Sequence, residues 1–313
     1  MIRKIIIVGF LLSLFIVQDV KADTFVSGNV SGSWTLTGSP YIIATDTITV
    51  ATDTTLKIDP GVEVWFATNT PFSVYGTLTA IGTDSSTRVI FKGSETYSLW
   101  EGIRIIGFGA SQTALSYVEI RNAGCGLYLE NTSNISITDS LIHNCQGTST
   151  YGIWIESSFN IFLGTNTIAN IQGGTATGIY LQNSGTNTLS TNTVSNIQGG
   201  TATGIYFYNS ASNTLISNVV ERVKTTNGGT GTGILLELSG TNTLTSGKIS
   251  QNNYGLYNDG SSGTITAFYV WWGHYTGPYH SVTNPQGKGN PVSDFVDYGS
   301  WSYSSGKQEI ILL

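Results

Sequence analysis

The sequence predicts an all-β solenoid, a single-stranded parallel β-helix with three short strands per rung. The first observation is a repeat. Gly126, Gly152, Gly178, Gly204, Gly233 and Gly255 each open a copy of one motif, with separations of 26, 26, 26, 29 and 22 residues by subtraction. A recurring period of this size marks a repeat architecture. The second observation lies inside each copy. In the second copy the short alternating segments are 153–155, 161–163 and 166–168, separated by Gly, Ser, Thr and Asn, and none has helical spacing. The third is the length of the period. Three strands fit one turn of a β-helix, whereas a propeller blade needs about 40 residues and four strands.

Alternation assigns faces to the first strand of each copy. One residue after each glycine stand Leu127, Ile153, Ile179, Ile205, Ile234 and Leu256; three after stand Leu129, Ile155, Leu181, Phe207, Leu236 and Asn258. These are expected to point inward and stack as ladders. The alternate positions must point outward. They hold Tyr128, Trp154, Tyr180, Tyr206, Leu235 and Tyr257, and beside them Glu130, Glu156, Gln182, Tyr208, Glu237 and Asp259. Gly102 opens an earlier rung, with Ile103 and Ile105 inward and Arg104 and Ile106 outward. An aromatic stripe beside an acidic stripe, with rungs about 4.8 Å apart, has the ingredients of a polysaccharide surface. Flat rings suit sugar faces and carboxylates suit hydroxyls. The competing expectation is that the rings only stabilise the ladder, or lie under the inserted GGTAT loops.

Asparagines form further columns. Asn166, Asn192 and Asn218 keep one offset from their glycines, and Asn144, Asn170 and Asn196 keep another. Stacked amides hydrogen-bond from rung to rung, so these read as structural.

Residues 1–22 read as a secretory signal peptide, with Arg3 and Lys4 before an apolar run at 5–17 and Val20, Lys21 and Ala22 at the cleavage site. The run is too short to span a membrane as a helix. The mature protein is expected to be secreted, periplasmic or on the cell surface. Composition fits: charged residues are 10%, there are 38 Gly, and the net charge is −6. That balance argues against nucleic acid, which needs basic patches. Residues 23–313 are expected to form one domain. Its parts are a cap and first rungs at 23–100, regular rungs at 101–270 and a C-terminal cap at 271–313. Residues 24–45 are expected to cover the N-terminal end. The tail from Trp271 departs from the rung pattern and is expected to wrap the last rung, since solenoid ends need covering.

Leu56, Lys57, Ile58, Asp59, Pro60 and Gly61, the stretch from Gly76 to Thr83, Trp100 with Gly102, the central NSGTNTLSTNTVSN, and the closing Trp271, Trp272 and Gly273 resemble one family. It is the group of secreted bacterial right-handed parallel β-helix proteins, pectin-lyase-like and NosD-like. The resemblance implies the fold and its right hand. It does not fix an activity, because the scaffold hosts lyases, hydrolases, binders and structural proteins.

Copper delivery, associated with NosD-like proteins, fits poorly. Copper favours His, Cys and Met; Met1 is the one Met, and the three His are His143, His274 and His280. Glu130 and Glu156 share a column on neighbouring rungs, a spacing of about 5 Å that suits a retaining glycosidase. Paired acids also raise each other's pKa. Arg104, diagonal to Glu130, would fit a calcium-assisted lyase. A second polar group lies on the third strand: Glu119, Arg121, Asp139 and His143. Cys125 and Cys145 fall one rung apart, which allows a disulfide without requiring one.

The expected function is an exported scaffold that binds polysaccharide or a cell-surface glycan, without cofactor or metal. Its ligand residues are Arg104, Tyr128, Trp154, Tyr180, Tyr206, Tyr257, Gln182 and Glu237. The alternatives are a lyase or glycoside hydrolase using Glu130 and Glu156 on the same face, with calcium if a lyase, and a structural or adhesion protein.

Overall fold

A computed structural model describes residues 23–304 apart from 45–46, 94–98 and 262. The expected signal peptide lies outside the described residues. The chain winds as a parallel β-solenoid of about nine turns. Each turn gives one strand to each of three sheets. The first sheet runs through Pro71–Val74, Gly102–Ile106 and Cys125–Glu130 to Thr232–Glu237 and Tyr254–Asn258. The second holds Thr77–Ile81, Ser136–Thr138 and Thr188–Ser190 among others. The third holds Glu63–Phe66, Val89–Gly93, Val118–Arg121 and Leu141–His143, and ends at Lys248–Ser250.

The register follows the glycines. Ile103, Leu127, Ile153, Ile179, Ile205, Ile234 and Leu256 are consecutive Cα partners. All are buried in one continuous core with Leu129, Ile155, Leu181, Phe207 and Leu236. Alternation therefore set the faces correctly: each buried partner is flanked by a less buried one.

The GGTAT stretches are strands, not loops. Thr167–Gln182 and Thr193–Tyr208 run unbroken from the third sheet into the first. Gly173 pairs with Gly199 and Thr175 with Thr201. Identical backbones one rung apart satisfy each other's hydrogen bonds, so weak strand propensity does not matter here.

Corners are made by residues in the left-handed region, among them Asn131, Asn144, Asn170, Asn183, Asn196 and Asn209. Asn tolerates positive φ better than most residues. The column Asn144, Asn170 and Asn196 is thus a corner first, and its amides add links of 3.2 Å from Asn170 to Asn144 and from Asn196 to Asn170. The other expected column is buried. Asn166 Nδ2 donates to Asn192 Oδ1, and Asn192 Nδ2 to Asn218 Oδ1, each at 3.0 Å. A parallel buried column, Asn187 to Asn213 to Asn242, has the same 3.0 Å links.

The N-terminal end differs from expectation. Residues 24–34 do not merely cover the N-terminal end; they are a rung. Thr24–Phe25 pairs with Tyr41–Ile43, Gly28–Asn29 with Ile48–Val50, and Gly32–Trp34 with Thr55–Ile58, all parallel. The C-terminal tail makes a last, looser turn. Lys248 bridges Trp271, Leu256 bridges Val292, and Val270 bridges Trp301, while Val296–Asp297 pairs with Ile265 and Thr266. Trp272 closes the core fully buried. Cys125 and Cys145 are both free thiols, so the bridge that spacing allowed is not made. Burial pushes the Cys145 thiol up to about 12, against the lowering effect of nearby backbone hydrogen bonds.

Candidate functional site

The outer face of the first sheet carries the expected columns. Arg104, Tyr128, Trp154, Tyr180, Tyr206, Leu235 and Tyr257 follow one another in register, and Glu130, Glu156, Gln182, Tyr208 and Glu237 run beside them. The rings, however, do not lie flat on the surface. Tyr128 and Trp154 have centroids 4.8 Å apart, Trp154 and Tyr180 5.8 Å, and Tyr180 and Tyr206 4.9 Å. These separations are close to the rung spacing, so neighbouring rings touch along the solenoid axis: Tyr180 and Tyr206 are stacked, at an interplanar angle of 21°, whereas Trp154 is tilted by 53° to Tyr128 and by 35° to Tyr180. The Arg104 guanidinium continues the stack 5.3 Å from the Tyr128 centroid. Tyr257 stands apart beyond Leu235, 42% exposed, edge-on to Tyr254 at 5.7 Å.

The two columns are tied together. Tyr128 donates its hydroxyl hydrogen to Glu156 Oε2 at 2.5 Å, and Tyr206 donates to Glu237 Oε2 at 2.5 Å. Burial, then the bond to Glu156 and the charges of Glu156 and Glu130, push the Tyr128 pKa well above the usual phenol range. Burial and Glu237 do the same to Tyr206. Burial, with the neighbouring phenols and carboxylates, raises Tyr180 to about 12. The phenols therefore remain protonated donors at neutral pH. Arg104 Nε and Trp154 Nε1 are buried on this face without a hydrogen-bond partner.

Glu130 and Glu156 are direct register partners, so the structure brings the expected pair together. One of the two, Glu156, is already engaged by Tyr128. Among the described residues no group of three His, Cys, Asp or Glu side chains is placed to hold a metal ion. The three histidines have separate partners. His143 meets Glu119, His274 Nδ1 accepts from the Thr276 amide, and His280 Nδ1 accepts from the Val282 and Thr283 amides.

Sequence reasoning missed Tyr151, which lies 4.8 Å from Trp154 and stacks on Tyr180 at 5.6 Å. Tyr254 holds the matching place before Gly255, and this pair was the available signal.

The third-strand group assembles in part. Arg121 Nη1 lies 2.9 Å from Glu119 Oε1, and His143 Nε2 lies 3.1 Å from the same oxygen. Asp139 sits at a left-handed corner and contributes its carbonyl, which accepts from Arg88 Nη1 at 2.6 Å. Arg88 was not legible, because it precedes its strand. The same sheet carries Glu63 with Lys92 at 2.7 Å, and Glu221 with Lys248 at 2.7 Å and with Arg222. The bond from His143, with the charge of Arg121 and against burial, holds Glu119 below the usual value of 4.5. For Glu63 and Glu221, burial would raise the pKa but the basic partners outweigh it. Folded values below the unfolded one mean stability that is complete above about pH 4.5 and is lost as pH falls through the folded values. The melting temperature should therefore fall on acidification below that point, and Glu119→Gln should remove part of the fall. A melting temperature constant between about pH 5 and pH 3 would show that these pairs contribute nothing.

The family model described as "Right handed beta helix region" matches residues 74–268, more than half of the chain, and the chain belongs to that family. It is a right-handed parallel β-helix. Among solved structures it is similar to the periplasmic alginate epimerase AlgG, at 14% identity and a TM-score of 0.47, over 88% of this chain and 69% of that one. It is also similar to the A-module of the Azotobacter vinelandii mannuronan C-5 epimerase AlgE4, at 12% identity and a TM-score of 0.34, over 90% of this chain and 88% of that one. A third is the Dettilon tailspike protein, at 13% identity and a TM-score of 0.38, over 89% of this chain and 52% of that one. At such identities the likeness is one of fold. A search of curated proteins finds no match.

Proposed function

We propose that this is an exported β-helix protein whose first-sheet face binds polysaccharide. One observation carries the reading: Tyr128, Trp154, Tyr180 and Tyr206 form an unbroken outward column from rung to rung, beside Glu130, Glu156, Gln182 and Tyr208, with Glu237 on the next rung. A repeated, open, hydrogen-bonding surface suits a polymer with repeating hydroxyls rather than a small molecule. Because neighbouring rings contact one another, contact with sugar is made by their exposed parts and the carboxylates, with Arg104 at one end and Tyr257 at the other. The apolar edges supply desolvated anchors, the usual place of aromatic hot spots. No helix among the described residues is long and apolar enough to cross a membrane.

A panel of neutral and acidic polysaccharides tests this by affinity electrophoresis or calorimetry. Trp154→Ala and Tyr180→Ala should each weaken binding by about 2 kcal/mol, roughly thirtyfold, with the fold retained by circular dichroism. If the wild type binds nothing in the panel while the variants melt earlier, the column is a structural ladder and the reading fails. A second reading, cleavage by Glu130 and Glu156, rests on their direct pairing. Reducing-end and unsaturated-product assays with and without calcium address it, and Glu130→Gln with Glu156→Gln should abolish any activity found. An activity untouched by that pair would move attention to Glu119, Arg121 and His143.

A further inference from the structure

The third sheet ends in a pocket with a different chemistry. Lys248–Ser250 is its last regular strand, and the strand's outer face meets the closing turn. Lys248 and Ser250 line a pocket of about 280 Å³ with Trp271, Gly273, Lys288 and Asn290. The chain has a net charge of −6, with only 13 Lys and Arg residues, yet two lysines converge here. Lys248 shares Glu221 with Arg222. Lys288 is exposed and has no ion-pair partner among the described residues. The pocket lining holds two lysines and no carboxylate.

Its floor carries an unexplained group. Ser250 is 3% exposed, and its hydroxyl is buried without a hydrogen-bond partner. Native structures rarely leave such a group unsatisfied. Gly273, at φ 93°, lies above it, and a Cβ there would come within 3.2 Å of Ser250 Cβ. A side chain at 273 would crowd Ser250. Asn290 is held by Asn252, to which its Nδ2 donates at 2.9 Å through the carbonyl, so this wall is fixed. Trp271 supplies a half-buried apolar side.

We infer that this pocket, separate from the first-sheet face, binds a monosaccharide carrying one oxyanion, a carboxylate or a phosphate. Lys248 and Lys288 face the charge, Ser250 Oγ bonds a ligand oxygen, and Trp271 packs on the ring. The volume lies near the roughly 300 Å³ lower bound of small-molecule sites. This assignment does not depend on polysaccharide binding elsewhere.

Calorimetric titration of the full chain with glucuronate, glucose 6-phosphate, glucose and inorganic phosphate tests it. At least one anionic sugar should bind saturably and more tightly than glucose or inorganic phosphate; which one identifies the oxyanion. Lys288→Ala, at an exposed position, should weaken that binding about tenfold. Ser250→Ala should also weaken it while raising the melting temperature of the free protein, because the orphan hydroxyl is removed. Trp154→Ala should leave it unchanged. No saturable binding of either anionic sugar, equal binding of glucose or of inorganic phosphate, or an affinity unaffected by both Lys288→Ala and Ser250→Ala overturns the assignment.

Discussion

Ile179→Asp should leave the central rungs unfolded, while Thr193→Asp should melt close to the wild type. Ile179 is fully buried between Ile153 and Ile205, its partners on the adjoining rungs. No basic side chain belongs to that ladder, so the new carboxylate would be buried and unpaired. Such a charge costs several kcal/mol, comparable with the total stability of an ordinary domain. In a solenoid each rung contacts its neighbours, so the loss spreads along the stack. Thr193 points outward in the third sheet, half-buried, with Thr167 and Val219 as its register partners. An aspartate there keeps its hydration. Thermal melts followed by circular dichroism read both variants. Equal melting temperatures would mean that the strand phase is wrong by one residue.

That phase was legible because period and alternation are independent signals. The glycines fixed the rung length, and the alternation after each glycine fixed the side. Together they placed Ile153, Ile179 and Ile205 inside and Trp154, Tyr180 and Tyr206 outside, as the burial pattern has them. What stayed hidden was set by neighbouring rungs rather than by local sequence. The Gly- and Thr-rich stretch 172–177 has little strand propensity, yet becomes strand because 198–203 repeats it one rung on. The first rung, at 24–34, has too few apolar residues to show a period. Alternation gives the side of a side chain but not its tilt. It therefore could not show that the Tyr180 and Tyr206 rings would stack at 4.9 Å rather than lie flat. The pocket at Ser250 was invisible for a similar reason, since Lys288 and Asn290 reach it from about 40 residues further along the chain.

Asn192→Ala should be the most damaging polar substitution, and far worse than Asn170→Gly. Asn192 is fully buried. Its Oδ1 accepts from the Asn166 amide and from Asn166 Nδ2, each at 3.0 Å. Its Nδ2 donates to the Leu163 carbonyl at 2.9 Å and to Asn218 Oδ1 at 3.0 Å. Alanine removes all four bonds and leaves the partner groups on three other segments without replacement. Each buried group left unsatisfied costs about 1–3 kcal/mol, so the sum reaches several kcal/mol. Asn170 also belongs to a column of amides, but an exposed one, at φ 56°. Water replaces its 3.2 Å links to Asn144 and Asn196, and glycine adopts the left-handed corner without strain. Its loss should stay within about 1 kcal/mol. Chemical denaturation of the two variants compares them directly. Equal destabilisation would mean that the buried column is no more than a turn former, and that the aliphatic ladders alone hold the rungs in register.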